Sequence, residues 1–463
     1  MTEVRWWGKR EYVFYIIFLA LGIITICLNG NIIVRIIIGV TPLLVLGLIY
    51  LFKKPSIFII IYFFLVPLSS PYLFPIEAIT PAELLGVFVV IWGLLSILTG
   101  LDRKTYEITY KNRYIFIALI SISFFGLVST IANLGNADLF ENLSKYLFKP
   151  IFFSVLILVL ISRFKDEKHL NYLIFAILFS SFLVGALCFY ALLTLKPLWA
   201  IDQEALRVSG TFVFHNHLSG YEVLMIFFTL GLYFEARNKY FRAFLVLTIT
   251  FSIIAQLTSL TLGGILGIIV GVFTLIIQRE HRFRNLTISL GILIIVSIGA
   301  LLFYPPIVEK FGVFSERITD RIIINYVGIK IIKSNFWFGV GSGVEDFIRS
   351  HQHLRYTPFG PAWNVPHNLF ITTFAEAGVF YLGALLALLY FGFRKVIKAL
   401  PAINNSKNKN FYKSLLAGMV AFLVQCMSNN LFWHVRLGIY LFLFLALIIK
   451  LDEEGDFNLP KWL

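Results

Sequence analysis

Apolar blocks of about 16 to 24 residues recur along the whole chain, separated by short charged connections, and each is the length a helix needs to cross roughly 30 Å of hydrocarbon. With 59% apolar and only 14% charged residues, against about 25% charged in an ordinary soluble domain, the chain is excluded from the soluble globular enzymes. The blocks fall at about 12–28, 36–52, 56–69, 82–99, 114–133, 147–162, 170–193, 217–236, 243–258, 261–278, 286–303, 367–391, 414–430 and 437–450. Pro67 interrupts the third, and the ninth and tenth are joined by a very short turn near Leu260, so the count stands at about 12–14. The fold class that follows is an all-α polytopic integral membrane protein, a single multi-span domain over 1–463.

The net charge of +14 would raise the question of nucleic acid in a soluble protein. Its distribution answers differently. With the N-terminus inside, alternate connections hold Lys53 and Lys54, then Arg103, Lys104, Lys111 and Arg113, then Arg163, Lys165 and Lys168. Arg237, Lys239 and Arg242, then Arg279, Arg282 and Arg284, then Arg394 to Lys413 continue the series. The positive-inside rule therefore predicts both termini in the cytoplasm. The first block follows Arg5, Lys9 and Arg10 like a signal sequence, but no small-residue cleavage site follows it, so it is expected to stay as the first span. Cys27, Cys188 and Cys426 all lie in apolar blocks and read as packing rather than as disulfides or metal ligands.

Two outer segments break the pattern of short, uncharged turns: a shorter loop, 194–216, and a larger one, 304–366, with seven basic and five acidic residues. Loops this long are usually functional or disordered. Ile318, Ile322, Ile323, Val327, Ile331 and Ile332 give the larger one a helical apolar stripe, with Trp337 and Trp363 as interfacial aromatics, so it is expected to be structured on the membrane surface.

His367 follows Pro366 at the start of a span, which puts an imidazole in the first helical turn, where the helix dipole keeps it neutral and able to accept a proton. The plainer reading is an interfacial histidine anchoring a helix end. At about 100° per residue, Gly378 and Tyr381 fall within roughly 40° of the His367 face, whereas Glu376 points to the opposite side. Glu376 is then read as a hydrogen-bonding group for a neighbouring span. Arg317 and Arg321 stand i, i+4 in the large loop with Gly328 on the same face, a spacing able to clamp an oxyanion or to form a solvated face with Glu316 and Asp320. Arg207 adds an outward cation in the shorter loop. The pairs His215/His217 and His351/His353 lack a local carboxylate to complete a metal site, and Gly339 to Gly343 lacks the flanking pattern of a nucleotide loop.

Three segments resemble, in order, those of the O-antigen ligases and the related Wzy-type polymerases. Arg207 to Phe212, RVSGTF, with Asn216, resembles the R-x-x-G-T-F-x-x-x-N element before a span. Arg321 to Lys330, followed by Gly339-Val340-Gly341, resembles the Arg-led helix and G-x-G of the large periplasmic loop. His367-Asn368, then Gly378 and Tyr381, fit the pattern H-[NSQ]-x9-G-x-x-[GTY].

The resemblance implies a GT-C-like glycosyltransferase in the bacterial inner membrane, with its active site on the periplasmic face. Its donor would be a glycan on undecaprenyl pyrophosphate and its acceptor lipid A-core, or a growing glycan in a polymerase. Arg207 and Arg321 would hold the pyrophosphate leaving group, His367 would deprotonate the acceptor hydroxyl, and Arg317, Asn368, Gly378 and Tyr381 would support them. No metal or other cofactor and no nucleic-acid partner is expected, and direct attack would invert the anomeric carbon. The competing class is a transporter or flippase, which would place its working charges near the midplane and show paired half-chain symmetry.

Overall fold

The computed structural model describes residues 55–69, 81–98, 103–134, 139–164, 167–194, 201–202, 207–212, 214–278, 321–342, 356–357, 360–361, 366–457 and 459. The chain divides into two compact units, Met1–Ile61 and Tyr62–Leu463. Of the first, the described residues are 55–61, the opening turns of helix α1 (Pro55–Leu65).

In the second unit the helices are α2 (Pro81–Leu98), α3 (Arg103–Lys111), α4 (Arg113–Ala132), α5 (Leu139–Leu143), α6 (Lys149–Arg163), α7 (Glu167–Thr194), α8 (His215–Glu235), α9 (Lys239–Thr258) and α10 (Leu262–Ile277). Then come α11 over 321–334, α12 (Leu369–Asn405), α13 (Lys409–Cys426) and α14 (Val435–Glu454). A π-helical turn, Ser144–Phe148, fuses α5 and α6 into one rod. Two-residue strands pair antiparallel: β1 (Ile201–Asp202) with β2 (Arg207–Val208), and β3 (Tyr356–Thr357) with β4 (Gly360–Pro361).

Six of the described helices are long and apolar enough to cross a membrane, among them α4, α7, α8, α9 and α12. The molecule is an all-α polytopic membrane protein. The apolar blocks from 56–69 onward each coincide with a helix, except 286–303, which with 12–28 and 36–52 lies outside the described residues. The blocks at 243–258 and 261–278 are two helices, separated where Leu260 adopts φ 50°.

Helix α8 is the axis of the bundle. Nearly every residue from Leu218 to Leu232 is buried, which explains why it is apolar all round instead of amphipathic. Ile226, Phe227 and Leu230 pack with Ile253 of α9, Ile268 and Val272 of α10 and Ala421 of α13 in one core. Beyond it, α7 lies on α9, α14 on α6, and α12 against both α4 and α14.

The two ends of the bundle differ in charge. At the C-terminal end of α14, Glu453 takes Lys111 at 2.9 Å and Lys395 at 2.6 Å, Asp452 takes Lys395 at 2.6 Å, and Glu454 takes Lys104 at 3.4 Å. The opposite end, where α6, α8, α12 and α14 all begin, gathers the residues that carry chemistry.

Candidate functional site

Helix α12 does not begin at His367. Its first helical residue is Leu369, and Asn368 is the N-cap: its side-chain oxygen accepts from the N–H groups of Phe370 (2.9 Å) and Ile371 (3.1 Å). This corrects the placement of Pro366 and His367 in the first helical turn. The short amide that best caps a helix occupies the cap, and His367 is left in extended backbone just outside it. The Pro366 carbonyl accepts the Thr372 hydroxyl at 2.7 Å, and Asn368 donates to the Met427 carbonyl at 2.9 Å, which ties this corner to the α13–α14 connection.

Helix α11 crosses close to this corner. A Cβ on Gly328 would stand 2.7 Å from Ile371 and 2.9 Å from Pro366, so only glycine permits the approach. Arg321, seven residues earlier on that face, acts electrostatically on His367. The His367 pKa is lowered to about 4, by burial first and by Arg321 second. The imidazole is neutral for a different reason from the helix dipole invoked above. The buried stripe of α11 is Ile324, Val327 and Ile331 packed on Val340 and Ala375, and Ile322 is exposed. The stripe read from the sequence is therefore rotated, because the helix presses against α12 and not only against lipid. Arg317, His351, His353 and Trp363 lie outside the described residues.

Gly378 breaks α12 with φ 81° and ψ −179°. The interruption frees carbonyls that the Gly339-Val340-Gly341 loop then satisfies: Val340 N–H donates to Ala375 at 3.0 Å and Gly341 N–H to Glu376 at 2.9 Å, while Val379 N–H donates to Phe336 at 3.1 Å. Both glycines are required by contact as well as by φ. A Cβ on Gly339 would lie 2.3 Å from the Glu376 carbonyl, and one on Gly378 2.1 Å from the Trp337 oxygen. The glycine pair is thus a docking joint between the large loop and α12.

The break also overturns the angular argument that set Glu376 apart from Tyr381. The Glu376 carboxylate pairs with the Lys145 ammonium and accepts from the Tyr146 hydroxyl, and the Tyr146 ring meets Tyr381 edge-on at 4.8 Å. Glu376 and Tyr381 thus share one partner, the π-helical turn between α5 and α6. Regular helical phase does not survive a residue with φ 81°. The reading of Glu376 as a bond to a neighbouring span agrees with this pair. No described contact links Gly378 or Tyr381 to His367.

On the other side, the β1–β2 ladder sets Arg207 against Asp202 and leads into α8. Arg207 Nη1 donates to His215 Nε2 at 2.7 Å, while its buried Nε has no hydrogen-bond partner among the described residues. Thr211 donates to the Pro67 carbonyl, and Phe212 is buried on Tyr221. His217 lies against His434, with ring centroids 3.9 Å apart. Among the described residues no three His, Cys, Asp or Glu side chains form a metal-holding group. Lys145, Tyr146, His434 and Arg436 had no place in the sequence reading. Lysines at the head of an apolar block and Arg436 just before the last one were the available signals, but only the fold brings them to this end.

No curated protein matches the chain. Residues 243–388 match the family model described as O-antigen ligase, a stretch running from α9 through α11 and the glycine joint to the middle of α12. Over that segment, about a third of its length, the chain is similar to the O-antigen ligase family, which supports the resemblance drawn from its motifs.

Proposed function

We propose that the protein transfers a glycan from undecaprenyl pyrophosphate to a sugar hydroxyl of lipid A-core, by metal-independent inversion on the outer face of the inner membrane. The observation that carries the reading is the neutral, largely buried His367 held beside Arg321 at the head of α12. His367 takes the proton of the acceptor hydroxyl as its oxygen bonds to the anomeric carbon. The bond from that carbon to the pyrophosphate oxygen breaks, and undecaprenyl pyrophosphate leaves with the electron pair. Arg321 and Arg207 stabilise the charge that grows on the leaving group, Arg207 with its Nε still unpaired among the described residues. Asn368 and Gly328 position the base and the arginine. The basic residues of alternate connections, from Lys53 to Lys413, support both termini inside.

Reconstitution of the full chain with a lipid-pyrophosphate glycan tests this. With lipid A-core present, capped lipid A-core is the expected product. Elongated lipid-linked glycan instead would identify a polymerase using the same chemistry, and absence of any transfer, with movement of the donor across the bilayer, would replace the reading by a flippase.

A further inference from the structure

Glu222 is a buried acidic group to which nothing above gives a role. It lies about two turns into α8 from His215, fully buried, and neither of its carboxyl oxygens has a hydrogen-bond partner among the described residues. Glu376, likewise within a span, has Lys145 as its counter-charge, whereas no basic side chain among the described residues acts on Glu222. A carboxylate left alone in a dry interior is costly, and ionisable groups inside spans mark ion sites.

Other polar side chains converge on it from three neighbouring helices. Helices α8 and α9 run antiparallel, which sets Ser252 beside Glu222 and, one turn along α9, Gln256 beside Ser219. From α13, Gln425 Nε2 donates to Ser219 Oγ at 2.9 Å. Helix α10 closes the site with bare backbone, since a Cβ on Gly264 would stand 2.1 Å from Ser219 Oγ and 2.3 Å from Gln256 Nε2. On the α7 side Glu222 acts electrostatically on Cys188. Ser219, Ser252, Gln256 and Gln425 are all buried.

The atoms left over define the ligand. Among the described residues, the Ser252 hydroxyl, both amide atoms of Gln256 and Oε1 of Gln425 have no hydrogen-bond partner, like both oxygens of Glu222. A carboxylic acid and a carboxamide with nothing between them exchange two hydrogen bonds, yet Glu222 and Gln256 leave all four of their atoms unmatched. Most of the unmatched atoms are hard oxygen acceptors, which suit a hard cation and repel an anion. One carboxylate balances one positive charge, so a divalent ion would leave a net charge in hydrocarbon. Softer transition metals lack their ligands, since no three His, Cys, Asp or Glu side chains gather among the described residues.

We propose that Glu222, Ser252, Gln256 and Gln425 form an oxygen-lined site for a single monovalent alkali cation within the α8–α9–α10–α13 core, apart from the transfer chemistry. The ion neutralises Glu222 and ties α8, α9 and α13 together through side chains that otherwise leave one another unmatched.

The test is binding of radioactive sodium to the full-length protein in phosphatidylcholine nanodiscs, beside thermal unfolding in sodium chloride against choline chloride at equal ionic strength. Saturable binding of one ion per chain is expected, with an unfolding midpoint that rises with sodium and not with choline. Glu222→Gln keeps the volume, removes the charge and should abolish both effects. Ser252→Ala and Gln256→Ala should each weaken sodium by about tenfold, the usual worth of a contact to a charged group, and they carry the test should Glu222→Gln not fold. Competition by potassium supports the site as one for monovalent ions, whereas calcium bound in preference to sodium overturns that assignment. Parent-like sodium binding in the folded variants overturns the site, and so does absence of saturable sodium or potassium binding by the parent. None of these outcomes touches the proposed transfer, which is read with donor and acceptor.

Discussion

His367 illustrates how a single side chain is tuned by its neighbours. Burial and the adjacent Arg321 lower its pKa to about 4, against an ordinary value near 6.5, so the imidazole is free base at every pH above about 4. The acid limb of kcat/KM is therefore expected near pH 4 rather than above 6. In Arg321→Lys the limb should stay, because the charge is kept. In the residual activity of Arg321→Gln it should move up in part, because burial alone then opposes protonation. His367→Ala should lower turnover by about 10²-fold or more, the usual contribution of a general base, with donor binding intact. Transfer assays across pH check both statements, and wild-type turnover in His367→Ala would reduce the residue to an anchor. Lysine cannot present the planar fork of arginine, so Arg321→Lys and Arg207→Lys should each weaken donor binding and slow transfer. Isothermal titration with donor, read beside the rates, separates that loss from loss of the base.

At the scale of elements the decisive feature is the joint where Gly339-Val340-Gly341 docks on the broken α12. It fixes α11, and with it Arg321, relative to His367. Gly378→Ala would force a side chain into a positive φ and onto the Trp337 carbonyl, and Gly339→Ala would collide with Glu376. Either should cost more than about 1 kcal/mol of stability and reduce turnover further than it reduces donor binding. The buried pair Lys145–Glu376 holds the other side of the joint. Glu376→Gln, which strands the Lys145 charge, should be strongly destabilising, by about 3–5 kcal/mol, while Lys145→Met with Glu376→Met should recover much of the loss. Thermal unfolding in detergent distinguishes the two. Equal damage from single and double substitutions would mean that the two side chains do not act as a pair.

For the whole molecule, the asymmetry of the bundle is the testable property. One end pairs its lysines with Asp452, Glu453 and Glu454 of α14, and the other collects His217, His367, His434, Arg207, Arg321 and Arg436. Lys333, exposed on α11, and Tyr240, 76% exposed at the head of α9, belong to opposite ends. A membrane-impermeant thiol reagent applied to intact cells should label Lys333→Cys and spare Tyr240→Cys until the membrane is opened. The reverse pattern would invert the orientation drawn from the basic residues.

The sequence alone determined the class of fold, because backbone pairing in lipid leaves helices as the only use for apolar blocks of this length, and hydrophobicity is a local property that needs no partner. It also singled out Arg207, Arg321, His367, Gly378 and Tyr381, since their spacing matched a family pattern. Only the tertiary structure decided what those positions do to one another. The cap at Asn368 moved His367 out of the helix, and the φ of Gly378 erased the helical phase that had separated Glu376 from Tyr381. Packing on Ala375 turned the buried face of α11 away from Ile322. Residues as distant as Lys145 and Glu376, or His217 and His434, carry no signal of each other in the chain. Their pairing comes from how the helices pack, which depends on shape and contact rather than on local periodicity.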